Sequence, residues 1–230
     1  MPARKLPRPA SAPLRPLILR LAGMDLDVRA TVALVVVTLL LIVDAYHSFL
    51  SGDGVEGALR AKAIERFVYY LIIPLAVILL IFRDPPSEYG FGLGNWRQGL
   101  LWSGSFIVLS IPLITAVAGT PAMARYYSAY RGSGPDLLFT FFLDLVGWEF
   151  VFRGFLLFAL YRLMGPTAIV LQAVPFALAH IGKPEIETLS TIFGGTFFGW
   201  IAWRSRSFLY PFLLHWFIFS LTVAVATSAL

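Results

Sequence analysis

Long apolar runs separated by short polar segments dominate the chain from residue 31 onwards. Seven of these runs approach the roughly 20 residues that an α-helix needs to cross the hydrocarbon core of a bilayer. The runs cover residues 31–50, 64–82, 98–118, 137–160, 167–181, 188–203 and 208–228, and the fifth and sixth are short. Turns that contain glycine or proline lie between them. The pattern predicts an all-α, polytopic membrane helical bundle of about seven transmembrane helices, in one domain over residues 31–230.

The first 30 residues differ from the rest of the chain. They contain six basic residues and five prolines, which predicts a flexible basic arm that ends in a short interfacial helix over residues 17–26. Counted together with the arm, eleven basic residues lie on its side of the predicted bundle and six lie on the opposite side. Because cytoplasmic loops are enriched in Lys and Arg, we expect a cytoplasmic N-terminus and a location in the cell membrane of a bacterium.

Composition narrows the classes of protein that fit. Hydrophobic residues make up 58% of the 230 residues and charged residues only 13%, about half the charged share of an average soluble domain. This apolar content excludes intrinsic disorder. The net charge of +5 arises largely from the arm, so we expect lipid and not nucleic acid as a partner. The chain has no cysteine, which excludes disulfides and thiolate nucleophiles.

Three charged residues interrupt the fourth apolar run, where each costs a few kcal/mol at the bilayer centre. Glu149 and Arg153 are four positions apart and share one helix face, so they can pair directly. Asp144 lies about 140° around the helix from Glu149 and is expected to face a different interface. An internal salt bridge that only fixes helix packing is one interpretation of the Glu149–Arg153 pair, and a polar site is the other.

Two histidines favour the polar site. His180 ends the fifth apolar run and His215 lies in the last one. A lone membrane histidine is often only a packing residue, but two of them and an acid–base pair on three separate helices predict one polar pocket. A carboxylate can deprotonate a water and an imidazole can protonate a leaving group, while a second imidazole can donate a hydrogen bond to an oxyanion.

The order and spacing of these residues resemble a known family. Glu149-x-x-x-Arg153, Phe176-x-x-x-His180, a small-residue helix that ends in Arg-Ser-Arg, and Pro211-x-x-x-His215 follow one another. This is similar to the motif order of the CAAX prenyl protease 2 family, which includes the Ras-converting enzyme and the bacterial CPBP (Abi) intramembrane proteases. The resemblance covers about residues 136–220.

The resemblance implies a helical-bundle intramembrane peptidase that depends on glutamate and needs no cofactor. Its substrate would be a prenylated or membrane-associated peptide or protein. Glu149 would hold the attacking water and Arg153 would orient Glu149. His180 would share the proton transfers, and His215 would contact the oxyanion. A zinc ion held by Glu149, His180 and His215 is a lesser alternative.

The chain departs from the family pattern at two positions. Trp148 stands where the family has the first of two adjacent glutamates, and Phe219 stands where an asparagine often helps to hold the oxyanion. Either the active site is built differently, or the chain is a catalytically silent member that binds hydrophobic or lipidated peptides. A small transporter that uses the pocket as a proton relay is a third interpretation.

The sixth apolar run supplies the last candidates. Glu187 follows Pro184 in the first turn of the predicted helix, where it could replace the missing catalytic carboxylate. Acidic residues in a first turn also simply complement the helix dipole, so both interpretations stay open. Three glycines in the same run, Gly194, Gly195 and Gly199, favour close approach of a neighbouring helix.

Overall fold

The structure, a computed structural model, describes residues 16–131 and 136–228. Within these residues the chain forms a bundle of eight helices, so the predicted all-α membrane bundle is confirmed. Helices before the central one are α1 (Val28–Tyr46), α2 (Gly54–Phe82), α3 (Trp96–Ala118) and α4 (Pro121–Tyr127). The central helix α5 consists of three consecutive segments, Asp136–Glu149, Phe150–Leu156 and Leu157–Met164. Helices α6 (Thr167–Leu178), α7 (Glu185–Ser205) and α8 (Leu209–Ser228) follow.

The predicted interfacial helix over residues 17–26 is wrong. This segment forms an antiparallel hairpin of β1 (Ile18–Leu21) and β2 (Met24–Asp27). Ala22 and Gly23 between the strands have φ of 50° and 80°, and a two-residue hairpin turn of the I′ type needs φ > 0 at both positions. Residues 1–15 of the predicted arm lie outside the described residues.

Four of the described helices are long and apolar enough to cross a membrane, namely α1, α2, α3 and α8. The predicted number of seven spans is therefore not confirmed. Helix α6 is shorter than a bilayer requires, whereas α5 and α7 are long but carry several charged residues. The four apolar helices identify an integral membrane protein.

Helix α5 lies at the centre of the bundle. It packs against α1, α2, α6, α7 and α8, and every residue from 147 to 160 is buried. Its middle segment, residues Phe150–Leu156, is π-helical, and π-helical turns are frequent at functional sites. Protein therefore surrounds this part of the helix on all sides, and its charged residues face other helices.

Two ion-pair groups connect separate elements of the bundle. Asp144 of α5 binds Arg66 of α2 at 3.3 Å, so it faces an interface with α2, which is different from that of Glu149. At the other group, the Arg29 guanidinium at the start of α1 donates two hydrogen bonds to Asp84, of 2.6 and 2.8 Å, and Tyr89 adds a third. Burial tends to raise the pKa of Asp84, but the hydrogen bonds from Arg29 and Tyr89 outweigh burial and hold the pKa below its usual value.

Candidate active site

A buried carboxylate lies between two basic side chains at the centre of the bundle. Glu149 and Arg153 of α5 are both completely buried. One carboxylate oxygen of Glu149, Oε1, lies 2.6 Å from His215 Nδ1 of α8 and accepts a hydrogen bond of 3.3 Å from Arg153 Nη1. The sequence motif thus brings together three of the predicted site residues in direct contact.

The orientation of Arg153 depends on aromatic rings. Its guanidinium carbon lies 3.9 Å from the centroid of the Phe176 ring and 5.4 Å from that of Phe198. Such contacts stabilise a cation in a desolvated place. The aromatic residue of the Phe-x-x-x-His motif therefore supports the arginine of the neighbouring motif.

The same phenylalanine also orients His180. Helix α6 ends at Leu178, so its last carbonyls lack helical partners. The Phe176 carbonyl is satisfied by His180 Nδ1 at 2.8 Å. A carbonyl can only accept, so this contact assigns the proton of a neutral His180 to Nδ1 and leaves a lone pair on Nε2. The four-residue spacing of the motif is the distance over which a helical side chain reaches back to a carbonyl.

Both histidines line one cavity of about 560 Å³ between α3, α4, α7 and α8. The Phe176 ring lies 4.5 Å from the His180 ring and 5.9 Å from the His215 ring. Glu149 and Arg153 are behind this wall, where Glu149 contacts the inner nitrogen of His215. The structure thus gathers the four predicted residues into one group, but only the two imidazoles reach the cavity.

The charged pair leaves polar atoms unused. Among the described residues, Glu149 Oε2 and Arg153 Nε have no hydrogen-bond partner although both atoms are buried. Buried polar atoms are almost always paired, and exceptions are often explained by an ordered water or a catalytic role. The free lone pairs of Oε2 give this carboxylate a capacity for accepting protons or hydrogen bonds that its protein neighbours do not use.

Glu187 lies on the wall of the same cavity, in the first turn of α7. Its carboxylate accepts hydrogen bonds of 3.0 and 2.8 Å from the Tyr127 hydroxyl and one of 2.7 Å from Lys183. Burial and the Glu187 charge raise the pKa of Tyr127 above its usual value, so this phenol stays a donor. Sequence reasoning missed Tyr127, and its only local signal is a short helix that begins at Pro121 between two apolar runs.

Aromatic rings occupy the two positions that depart from the family pattern. Trp148 packs 6.3 Å from the His180 ring and 4.9 Å from Tyr70, and the Arg66 guanidinium lies 5.2 Å from its centroid. Phe219 lines the cavity and packs 4.5 Å from Phe141. Apolar surface thus stands at both positions where the family carries polar groups.

The described residues do not assemble a metal site. Within residues 16–131 and 136–228, no three His, Asp or Glu side chains lie together as ligands of one metal ion would. His180 turns its Nδ1 to the Phe176 carbonyl, and Glu149 and His215 bind each other directly. The zinc set of Glu149, His180 and His215 is therefore not formed in this arrangement.

Residues 131–221 match the protein-family model described as Rce1-like, type II CAAX prenyl endopeptidase Rce1-like. The match confirms the resemblance predicted from the motifs, and it spans all five candidate residues from Glu149 to His215. Comparisons with curated proteins and with solved structures gave no significant match.

Proposed function

From the match of residues 131–221 to the Rce1-like family model, we propose that the protein is an intramembrane peptidase in which the Glu149–His215 pair activates water. At the level of the family, the match implies a CAAX-type membrane endopeptidase. The observation that carries the finer proposal is the 2.6 Å contact between Glu149 Oε1 and His215 Nδ1. This contact places a buried carboxylate behind an imidazole that lines the cavity.

The proposed chemistry follows from the two nitrogens of His215. Its Nδ1 proton is held by Glu149, so Nε2 carries the lone pair on the opposite edge of the ring. Nε2 takes a proton from a water, and the resulting hydroxide oxygen bonds to the scissile carbonyl carbon. The Glu149 carboxylate stabilises the imidazolium, as the buried acid of a catalytic triad does. The imidazolium then gives its proton to the leaving amine nitrogen as the C–N bond breaks.

This assignment differs from the roles that the resemblance implied for Glu149 and His215. Glu149 is completely buried behind His215, which favours a role in orienting and charging the imidazole over direct contact with the substrate. His180 keeps a share of the proton work, because its Nε2 is an acceptor on the same cavity wall. Arg153 donates a hydrogen bond to Glu149 and so orients its carboxylate.

The proposed substrate is a prenylated or otherwise membrane-associated peptide. Most residues around the cavity are apolar, with phenylalanines from α3, α6, α7 and α8, so a hydrocarbon chain is accommodated without unpaired polar groups. Membrane lipid would surround the bundle. The proposal places it in a bacterial cell membrane with the N-terminus in the cytoplasm, in line with the basic arm. No cofactor is part of the proposed reaction.

A catalytically silent binder of hydrophobic or lipidated peptides is the second candidate. It is favoured by Trp148 and Phe219, whose rings fill the positions of two polar groups of the family. An apolar cavity with both of these rings nearby retains its capacity to hold a hydrocarbon chain even if water activation is lost.

The deciding experiment incubates the purified full chain in lipid vesicles with a farnesylated CAAX peptide, with and without a chelator. We expect cleavage that the chelator leaves unchanged, and a loss of about 10²- to 10⁴-fold in His215→Gln. His47→Gln is the matched control, since His47 is exposed and far along the chain from the domain. Binding of the peptide without cleavage by the wild-type protein would instead favour the silent binder.

A further inference from the structure

A glutamine that belongs to none of the motifs lies directly behind the candidate site. Gln172 of α6 is completely buried. Its Nε2 donates hydrogen bonds of 2.9 Å to the Ile169 carbonyl and 2.8 Å to the Gly195 carbonyl of α7. Its Oε1 has no hydrogen-bond partner among the described residues. Retaining such a polar side chain in an apolar interior is costly, which calls for a reason.

The Gly195 carbonyl connects Gln172 to the charged pair. Arg153 Nη2 donates to the same oxygen at 3.5 Å, while its Nη1 donates to Glu149 at 3.3 Å. One continuous series of polar contacts therefore runs from Gln172 through Gly195, Arg153 and Glu149 to His215, and it crosses four helices. The stronger contact of Gln172 fixes the carbonyl, and the weaker contact of Arg153 depends on where that carbonyl lies.

Two glycines one helical turn apart make room for this series. A Cβ added at Gly195 would lie 3.1 Å from Arg153 Nη2 and 2.9 Å from the Phe176 ring. A Cβ added at Gly199 would overlap the side-chain amide of Gln172. The small residues of α7 thus do more than allow a neighbouring helix to approach, because each one admits a polar side chain from another helix.

We propose that Gln172 is a positioning residue for the reaction, acting through the Gly195 carbonyl and Arg153 to hold Glu149 against His215. The proposal rests on the proposed function. Gln172 does not line the cavity, so it does not touch the substrate. Gln172 acts through geometry. If the Arg153 guanidinium moves, Glu149 Oε1 loses the hydrogen bond from Arg153 and the carboxylate is held less firmly. Small errors in the placement of catalytic groups are expensive in rate.

The test compares two variants with one control. Gln172→Met keeps the length and volume of the side chain but removes the donor. Gly199→Ala keeps Gln172 and displaces its side-chain amide, since the added Cβ would overlap Gln172 Nε2; the Ile169 carbonyl, at 3.2 Å, is crowded less. Gly104→Ala is the control, because a Cβ added at this exposed glycine of α3 meets nothing within 4 Å. For both test variants we expect kcat to fall by about tenfold or more while KM changes by less than about twofold; the control keeps both values.

A second measurement does not depend on turnover. The chain has three histidines, so the imidazole ¹⁵N signals of His215 can be assigned with His→Gln variants in detergent micelles. We expect Gln172→Met, Gly199→Ala and Arg153→Lys all to shift the His215 signals and to leave those of His47 unchanged. If the wild-type chain cleaves no peptide, the proposed function fails, and this measurement alone decides on Gln172.

Two results would overturn the positioning role. One is unchanged kcat in folded Gln172→Met protein, and the other is an unchanged His215 spectrum in both test variants. If Gln172→Met does not fold, Gly199→Ala decides, since it retains every polar group of the series.

Discussion

Two buried arginine–carboxylate pairs lie in the part of the bundle that the structure describes, and they differ in how many of their polar atoms have hydrogen-bond partners. Asp84 accepts two hydrogen bonds from Arg29 and one from Tyr89, so both of its oxygens are bound. Glu149 and Arg153 share a single hydrogen bond of 3.3 Å, and one oxygen of the acid and one nitrogen of the base have no partner among the described residues.

The first pair has the contacts of an ion pair that connects two elements of the fold. The second has the unpaired polar atoms that we expect of a catalytic pair. Arg29 and Asp84 come from different elements, 55 positions apart, so their bond fixes α1 to the segment after α2. Glu149 and Arg153 are on one helix and gain no such cross-link from each other. The unpaired Oε2 of Glu149 and its contact with His215 instead suit the carboxylate to the proton transfer that we propose.

The largest expected effect comes from Glu149→Gln. The amide keeps the shape of the side chain but cannot stabilise an imidazolium by charge, so turnover per folded molecule should fall by about 10²- to 10⁴-fold. The measurement is cleavage of the farnesylated peptide, normalised to the monodisperse fraction in size-exclusion chromatography. Turnover within a few-fold of wild type would show that the pair is as structural as Arg29–Asp84.

The reciprocal change is Asp84→Asn, which leaves the Arg29 charge buried without its carboxylate. Breaking a buried pair in this way costs about 3–5 kcal/mol, so the free energy of unfolding should fall by this order while turnover per folded molecule stays near wild type. Chemical denaturation in mixed micelles gives the first quantity and the peptide assay gives the second. A selective loss of turnover would contradict the distinction.

The same variant gives a pH signature. Because the pKa of Asp84 is lowered in the folded protein, its stabilising contribution is complete above the unfolded carboxyl value of about 3.9 and is lost as the pH falls through the lowered value. We expect the stability gap between wild type and Asp84→Asn to be constant near neutral pH and to narrow below about pH 4. A stability gap that widens as the pH falls would contradict a lowered pKa of Asp84 in the folded protein.

Glu187 is the intermediate case, with the smallest expected effect. It lines the cavity, which is expected of a catalytic acid. Tyr127 and Lys183 both donate hydrogen bonds to its carboxylate, which is expected of a structural acid. We expect Glu187→Gln to lower turnover about tenfold, because it would displace residues that line the cavity. Glu185→Gln, at an exposed position of the same turn, should leave turnover unchanged. A loss as large as that of Glu149→Gln would place Glu187 in the chemistry.

Most of the correct predictions rest on the spacing of residues within single helices. Apolar runs predicted the long helices, and three short motifs predicted the family, because a four-residue spacing defines one helix face wherever the helix lies. The catalytic roles of Glu149, His180, His215 and Glu187 stay predictions. Such a role depends on which atoms of separate helices are in contact, and the sequence does not give those contacts. His215 covers Glu149 because α8 packs on α5. The sequence pattern within either helix does not indicate this contact.

Contacts between distant segments account for what the sequence did not predict. Gln172 looks like an ordinary polar residue in a short apolar run, and only its distance to the Gly195 carbonyl reveals a connection. Tyr127 and Glu187 are 60 positions apart. The N-terminal hairpin has a local cause, since Ala22 and Gly23 form a tight turn with positive φ that the apolar pattern of residues 17–26 does not indicate.

The complete burial of α5 between residues 147 and 160 has a consequence for the environment in which the protein works. A helix with one face towards acyl chains would feel their thickness, unsaturation and headgroup charge. Here five other helices insulate Glu149 and Arg153 from the bilayer. The surroundings of this pair are therefore set by the chain itself, and its contacts should stay the same when the acyl composition of the host membrane changes with growth temperature.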